Sequence, residues 1–215
     1  MIRPLNIFLL LSTVILFFTS CKDTRKKYWD SGNIQSELEY KDNKLNGKAI
    51  WYYENGNKEQ EVNYINNTLE GAQIRWYQNG NFESKAHYKN GNLEGLATMY
   101  DEYGNLLSEE NYKNDTLNGS YILRYPSGGI RISGSYVGGY FSGQWLYYNL
   151  SGEIIGTGNY TMGSGIQKAW HPNGSLMREI TYVNNLKHGT EKWYNAEGVL
   201  EKVLYYKEGV LSDNE

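Results

Sequence analysis

Along most of the chain, apolar and polar positions alternate with a period of two. In the stretch 34–40, Ile34, Ser36, Leu38 and Tyr40 fall on one face of an extended segment, while Asn33, Gln35, Glu37 and Glu39 fall on the other. The alternation returns as Phe82, Ala86 and Tyr88, and again as Leu176, Ile180 and Tyr182. Alternation of this kind over about eight residues predicts a half-buried β-strand, not a helix. Between such stretches stand the tripeptides DSG, ENG, QNG, EYG, PSG, LSG, PNG and AEG, all ending in glycine. A three-residue hairpin loop places its last residue in the left-handed region, which glycine occupies without strain.

These elements recur as a repeat. The turn glycines are Gly32, Gly56, Gly80, Gly104, Gly128, Gly152, Gly174 and Gly198, spaced by 24 residues except for one step of 22. Eight residues after each glycine comes a tyrosine, from Tyr40 to Tyr206. A second glycine series runs Gly47, Gly71, Gly95, Gly119, Gly143, Gly165 and Gly189, so the two missing residues lie between Tyr160 and Gly165. After it, a shorter strand ends in an aromatic (Tyr52, Trp76, Tyr100, Tyr148, Trp170, Tyr194), a row that only Arg124 interrupts. The reading is all-β: an elongated antiparallel β-meander, or solenoid, of about eight hairpin repeats with eight long and seven short strands. Fifteen strands at ~4.8 Å each would extend about 70 Å. A second connection, exemplified by KDNKLNG after Tyr40, reads as a longer loop tipped by Asn, Asp or Gly. No single hairpin buries its apolar face alone, so stability comes from neighbours in a quasi-one-dimensional array.

The N-terminus is different material. Arg3 precedes a nearly unbroken apolar run from Ile7 to Phe18. A membrane-spanning helix needs ~20 such residues, and this shorter run fits a secretory signal. The sole cysteine, Cys21, follows at once, and the stretch FTSC resembles the bacterial lipobox, whose cysteine becomes lipid-modified. The resemblance implies a signal peptide over 1–20, lipidation at Cys21 and a location in the bacterial cell envelope, at the outer membrane or cell surface. An incidental thiol beside an ordinary cleavage site is the plainer alternative. Residues 21–27 read as lipidated cysteine and hydrated tether, 28–211 as the repeat domain and 212–215 as a tail.

Composition narrows the chemistry. The net charge of −3 gives no electrostatic footprint for nucleic acid. His87, His171 and His188 occupy different repeat positions, without the convergent spacing a zinc site needs. No phosphate-cradling loop or nucleophile elbow is present in the sequence. The chain therefore reads as non-enzymatic, with no catalytic or metal residues and no cofactor.

Together the pattern G-x-ϕ-x-x-x-x-x-Y, then L-x-G, then a pair of aromatics and x-N-G resembles the MORN-repeat variant family over residues 28–211. That family includes bacterial YwqK-type antitoxins. The resemblance implies β-hairpins used for scaffolding, or for protein and lipid contact, with no shared catalytic site. Three functional readings follow: a membrane-anchored interaction scaffold, an antitoxin or immunity-type neutralising partner, and a glycan-binding surface protein.

Candidate contact residues are Trp51, Tyr53, Tyr77, Tyr121, Tyr125, Trp145, Tyr147 and Trp193. The strict alternation places them on the face of Glu37, Glu39, Glu59, Glu61, Glu83 and Glu109, opposite the repeat tyrosines. An exposed aromatic stripe suits a partner protein or a sugar ring; the same rings would otherwise brace cross-strand pairs. Glu110 and Arg124 are placed within salt-bridge reach of each other. Gly134, Gly156 and Gly158, at inward positions, are expected to thin the sheet into a curve or groove.

Overall fold

The computed structural model describes residues 22–212, which form one antiparallel sheet of nineteen strand segments. Residues 1–21, on which the expected signal peptide and Cys21 fall, and residues 213–215 lie outside the described residues. The first seven segments are β1 (Lys22–Tyr28), β2 (Ile34–Lys41), β3 (Lys44–Tyr52), β4 (Lys58–Ile65), β5 (Thr68–Leu69), β6 (Gly71–Trp76) and β7 (Phe82–Lys89). Next come β8 (Asn92–Leu93), β9 (Gly95–Tyr100), β10 (Leu106–Lys113), β11 (Thr116–Arg124), β12 (Ile130–Val137) and β13 (Tyr140–Tyr148). The remainder are β14 (Ile154–Thr161), β15 (Ser164–Trp170), β16 (Leu176–Val183), β17 (Leu186–Tyr194), β18 (Leu200–Lys207) and β19 (Val210–Ser212). Each strand pairs with its sequence neighbours, and β5/β6 and β8/β9 are each one strand interrupted at Glu70 or Glu94. The all-β hairpin array read from the sequence is the fold.

The sheet is longer than the hairpin pattern predicts by one strand at each end. Lys22 to Lys27, read as a tether, join Tyr28 in β1, paired with β2 from Lys22↔Lys41 to Tyr28↔Ile34. Its charges complement those of β2 across the ladder: Lys22 meets Glu39, and Lys26 meets Glu37 at 2.6 Å. Both carboxylates are held below their usual range, first by hydrogen bonds from these lysines. At the other end β19 takes in Ser212, read as part of the tail.

Two kinds of turn alternate. The glycine-terminated loops close as expected, with Gly56 N–H donating to the Tyr53 carbonyl at 2.9 Å and its equivalents following. The other connections are shorter than the sequence suggests. They are two-residue turns with both φ angles positive, as at Asp42 (51°) and Asn43 (60°), the geometry that matches strand twist. The extra residues of that segment form a bulge: Tyr40 pairs Leu45 and Leu38 pairs Ala49, leaving Asn46, Gly47 and Lys48 opposite Glu39. A Cβ at Gly47 would lie 2.0 Å from the Glu39 carboxylate, and its φ of 122° is one only glycine adopts readily. The 22-residue repeat has lost this bulge, since β14 and β15 pair without a register shift.

A second bulge sits beside each glycine loop. Trp51 pairs Gln60 and Tyr52 pairs Lys58, so Glu59 is the extra residue. It reverses the faces read from strict alternation. Ser36, Leu38, Tyr40, Ala49, Trp51, Gln60, Val62 and Tyr64 share one face, while Glu37, Ile50, Tyr52 and Glu61 share the other. The buried side chains are Ala49, Val62, Trp145, Tyr160, Ile180, Ser36, Ser108 and Glu191. Their pairings place them all on the tyrosine face. With a single layer, cover comes from the long side chains of that same face.

Candidate interaction surface

The tyrosine face takes three forms along the sheet. Near the N-terminus, Ser36, Leu38 and Trp51 of this face, together with Trp29 and with Tyr52 from the other face, line a hollow of ≈ 260 Å³. In the middle lies an aromatic cluster. Tyr121 stacks on Trp145 (5.6 Å between centroids, 29°), and Tyr136 and Phe141 meet Trp145 edge-on at 5.1 and 4.8 Å. Tyr160 and Tyr182 extend it, 5.7 Å apart. Inward glycines make room for the rings: a Cβ at Gly134 would lie 2.2 Å from the Trp145 indole, and one at Gly158 2.4 Å from the Tyr160 ring. The groove expected there is filled by the two side chains. Burial pushes the Tyr136 hydroxyl up to about 12 and Tyr160 higher still.

Toward the C-terminus the cluster gives way to ions. Glu191, 2% exposed, pairs with Lys187 at 2.6 Å and Arg178 at 3.7 Å. Arg178 lies 4.8 Å over the Trp193 ring and Lys187 4.6 Å over Tyr206. Burial works against the Lys187 ammonium, but the Glu191 hydrogen bond and charge hold its pKa above the usual value. A buried carboxylate is tolerable because two cations face it.

The eight aromatic candidates do not form one stripe, and those within strands stand on the tyrosine face, not the glutamate face. Trp51 lies across from Ser36 and Gln60. Tyr121, Trp145 and Tyr147 come together in the middle of the sheet, with Trp145 only 3% exposed. Trp193 lies under Arg178, apart from them. Tyr53, Tyr77 and Tyr125 begin glycine loops and donate their hydroxyls to the backbone carbonyls of Trp76, Tyr100 and Tyr148 at 2.8, 2.8 and 2.7 Å. Each such bond ties one repeat to the next. Trp29 and His171 occupy the same position and bond the Tyr52 and Tyr194 carbonyls.

Glu110 and Arg124 do not pair. Arg124 binds Glu109 at 2.6 Å, whereas Glu110 accepts the Tyr112 hydroxyl at 2.6 Å. The bulge beside Arg124 sets it opposite Ile130, on the Glu109 face. Among the described residues, no group of three or more His, Cys, Asp or Glu is placed to hold a metal ion.

Sequence reading missed two features. The first is that the repeat tyrosines themselves, Tyr136, Tyr160 and Tyr182, join the aromatic cluster. The second is a concavity of ≈ 720 Å³ at the glycine-loop edge, lined by Asn149, Glu153, Ile155, Thr157, Trp170 and His171. The available signal was the break in the Tyr53, Tyr77, Tyr125 series, where Asp101 and Asn149 stand instead.

Among curated proteins, none matches the chain. The profile of the family described as MORN repeat variant does match, six times, at residues 24–42, 45–66, 69–90, 93–114, 164–184 and 187–208. The first match begins inside β1, which agrees with β1 being part of the first repeat. The interval 115–163, between matches, holds Tyr121, Trp145 and the inward glycines of the aromatic cluster. With matches over more than half its length and the hairpin array they imply, the chain belongs to the MORN repeat variant family.

Proposed function

We propose that the protein is a non-enzymatic exported lipoprotein, anchored through Cys21, that serves as an interaction scaffold in the bacterial cell envelope. The observation that carries this reading is the single-layer sheet itself. It offers two long side-chain faces, and the residues its repetition makes conspicuous are spent on turns, bulges and inter-repeat bonds. The lipobox-like FTSC supports the anchor. Because β1 begins at Lys22, an anchored sheet would start within one residue of the lipid. Multiple acyl chains on one residue hold a protein firmly, whereas one alone binds reversibly.

Mass spectrometry of the mature N-terminus and detergent partitioning, for the wild type and for Cys21→Ser, test the anchor. An unmodified N-terminus at any other residue overturns it. Photo-crosslinkers placed at Ile50 and at Gln60, on opposite faces, test the scaffold role in the native cells. A discrete adduct from one face supports it, and none from either removes it. The antitoxin-type reading rests on the family resemblance alone, and the glycan reading built on Trp51, Trp145 and Trp193 loses its central ring to burial.

A further inference from the structure

Side-chain bonds lace neighbouring glycine loops together along part of one edge of the sheet. Between the loops at 53–56 and 77–80, Tyr53 reaches the Trp76 carbonyl, while Asn55 and Asn57 both donate to the Gln78 carbonyl at 3.0 and 2.9 Å. Asn79 and Asn81 repeat this onto Glu102, and Asn173 and Ser175 onto Ala196. At the seam between the loops at 149–152 and 171–174, the same three positions are Asn149, Ser151 and Glu153, and they turn inward on their own loop. The Asn149 Oδ1 accepts the Ser151 and Glu153 N–H groups, both at 3.0 Å, and its Nδ2 donates to the Glu153 Oε2 at 2.8 Å. The seam stands open as the ≈ 720 Å³ concavity, a shallow surface depression.

Folding of the repeat does not require this opening, because Asn-rich loops close the seams at 53–80, 77–104 and 171–198, although the loop at 101–104 also bonds inward on itself through Asp101. Its lining has a definite chemistry. Trp170 supplies an indole in the row where Trp76 packs on Phe82 at 6.0 Å. Ile154 and Ile155 beside it are 51% and 42% exposed, so the apolar wall is open to a ligand. The Glu153 carboxylate, pre-oriented by Asn149, and the Thr157 hydroxyl supply acceptors and a donor on the same wall. His171 is fixed by its bond to the Tyr194 carbonyl at 2.9 Å and closes the far side. An apolar ring face beside convergent hydroxyl-binding groups matches a pyranose, which has C–H bonds on its faces and hydroxyls around its rim. The carboxylate disfavours anionic ligands.

We propose that this seam is a saccharide subsite that takes a neutral pyranose, with the sugar's C–H face on Trp170 and its hydroxyls on Glu153 and Thr157. The site shares no residue with the aromatic candidates read from the sequence, and it does not depend on the anchor or on a protein partner. The test is calorimetric titration of the full chain with cellotetraose, xylotetraose, mannotetraose and chitotetraose. At least one is expected to bind saturably, and Trp170→Leu and Glu153→Gln are each expected to weaken it by about tenfold, the effect of losing roughly 1.4 kcal/mol of contact. Asn149→Tyr restores the inter-repeat bond seen at Tyr125 and fills the opening, so it should abolish binding while the melting temperature holds or rises. Trp76→Leu, at the same register in a laced seam, should leave binding unchanged. Failure of all four sugars to bind overturns the proposal. So does wild-type affinity in Asn149→Tyr or Trp170→Leu, or an equal loss in Trp76→Leu.

Discussion

At the scale of single residues, two glycines outside turns serve as seats for rings. Gly134 and Gly158 have ordinary φ angles, so what bars a side chain there is space alone. Gly134→Ala would drive a methyl group into the Trp145 indole, and overpacking of this kind costs about 1–3 kcal/mol. Gly129 has nothing within 4 Å of a built Cβ and no positive φ, so Gly129→Ala should stabilise by about 0.4–1 kcal/mol through the unfolded chain. Urea unfolding of the two variants should move the midpoint in opposite directions, and movement in the same direction would contradict the seating of Trp145. The buried hydroxyls make a second prediction. Tyr136 loses its proton at about 12 in the folded chain against 10.0 when unfolded, because burial disfavours the anion. Its contribution to stability is complete below pH 10.0 and disappears as pH rises through about 12. The tyrosinate absorbance that Tyr136→Phe removes from the wild-type titration should therefore rise late and together with alkaline unfolding; an early non-cooperative rise in that difference would show the cluster to be open.

At the scale of elements, both edges of the sheet are held by bonds between repeats. Tyr77→Phe removes one hydroxyl–carbonyl bond and should cost about 0.5–1.5 kcal/mol. Asn185 does more. The 22-residue repeat lacks the bulge after its Met162–Gly163 turn, and Asn185 reaches past that turn to the one before it, accepting the Phe141 N–H at 2.8 Å and donating to the Gly139 carbonyl at 2.7 Å. Asn185→Ala should cost about 1–3 kcal/mol, the larger because partly buried groups lose partners, and urea unfolding measures both variants. The first strand has a different weakness. Glu37 and Glu39 have depressed pKa values in the folded chain, so their support for β1 is present above the usual 4.5 and is lost as pH falls through the lowered values. Hydrogen exchange should show β1 amides losing protection in acid before those of β13–β17. Simultaneous loss would mean that β1 is held by its backbone ladder alone.

At the scale of the molecule, a one-layer ribbon of nearest-neighbour contacts has no reason to unfold as a unit. Val62, 1% exposed near one end, and the Trp145 cluster in the middle belong to different neighbourhoods. Val62→Ala should lower exchange protection in β2–β6 and leave β12–β16 unchanged; a uniform loss would reveal cooperativity along the whole sheet. This organisation explains how 115–163 holds its aromatic cluster without loss of the fold. Each repeat answers only to its neighbours, so an aromatic cluster or an unlaced seam is absorbed locally.

The sequence by itself determined the strands, the order of the hairpins and the site of the deletion. These follow from local chemistry: glycine at a left-handed loop position, a period of two, and a tyrosine at fixed spacing. Legibility stopped at the bulges. One extra residue at Glu59 or its equivalents exchanges the two faces, and no local pattern announces it, because a bulge is defined by the partner strand. Only the tertiary structure decided that Lys22–Tyr28 is a strand, since its backbone ladder is completed by β2. It alone decided that Trp145 and Tyr160 fill the hollows left by glycines, and that Asn149 and Glu153 leave one seam open. Periodicity records what each residue does to its own backbone; which face it reaches and what it meets there depend on strands distant in the chain.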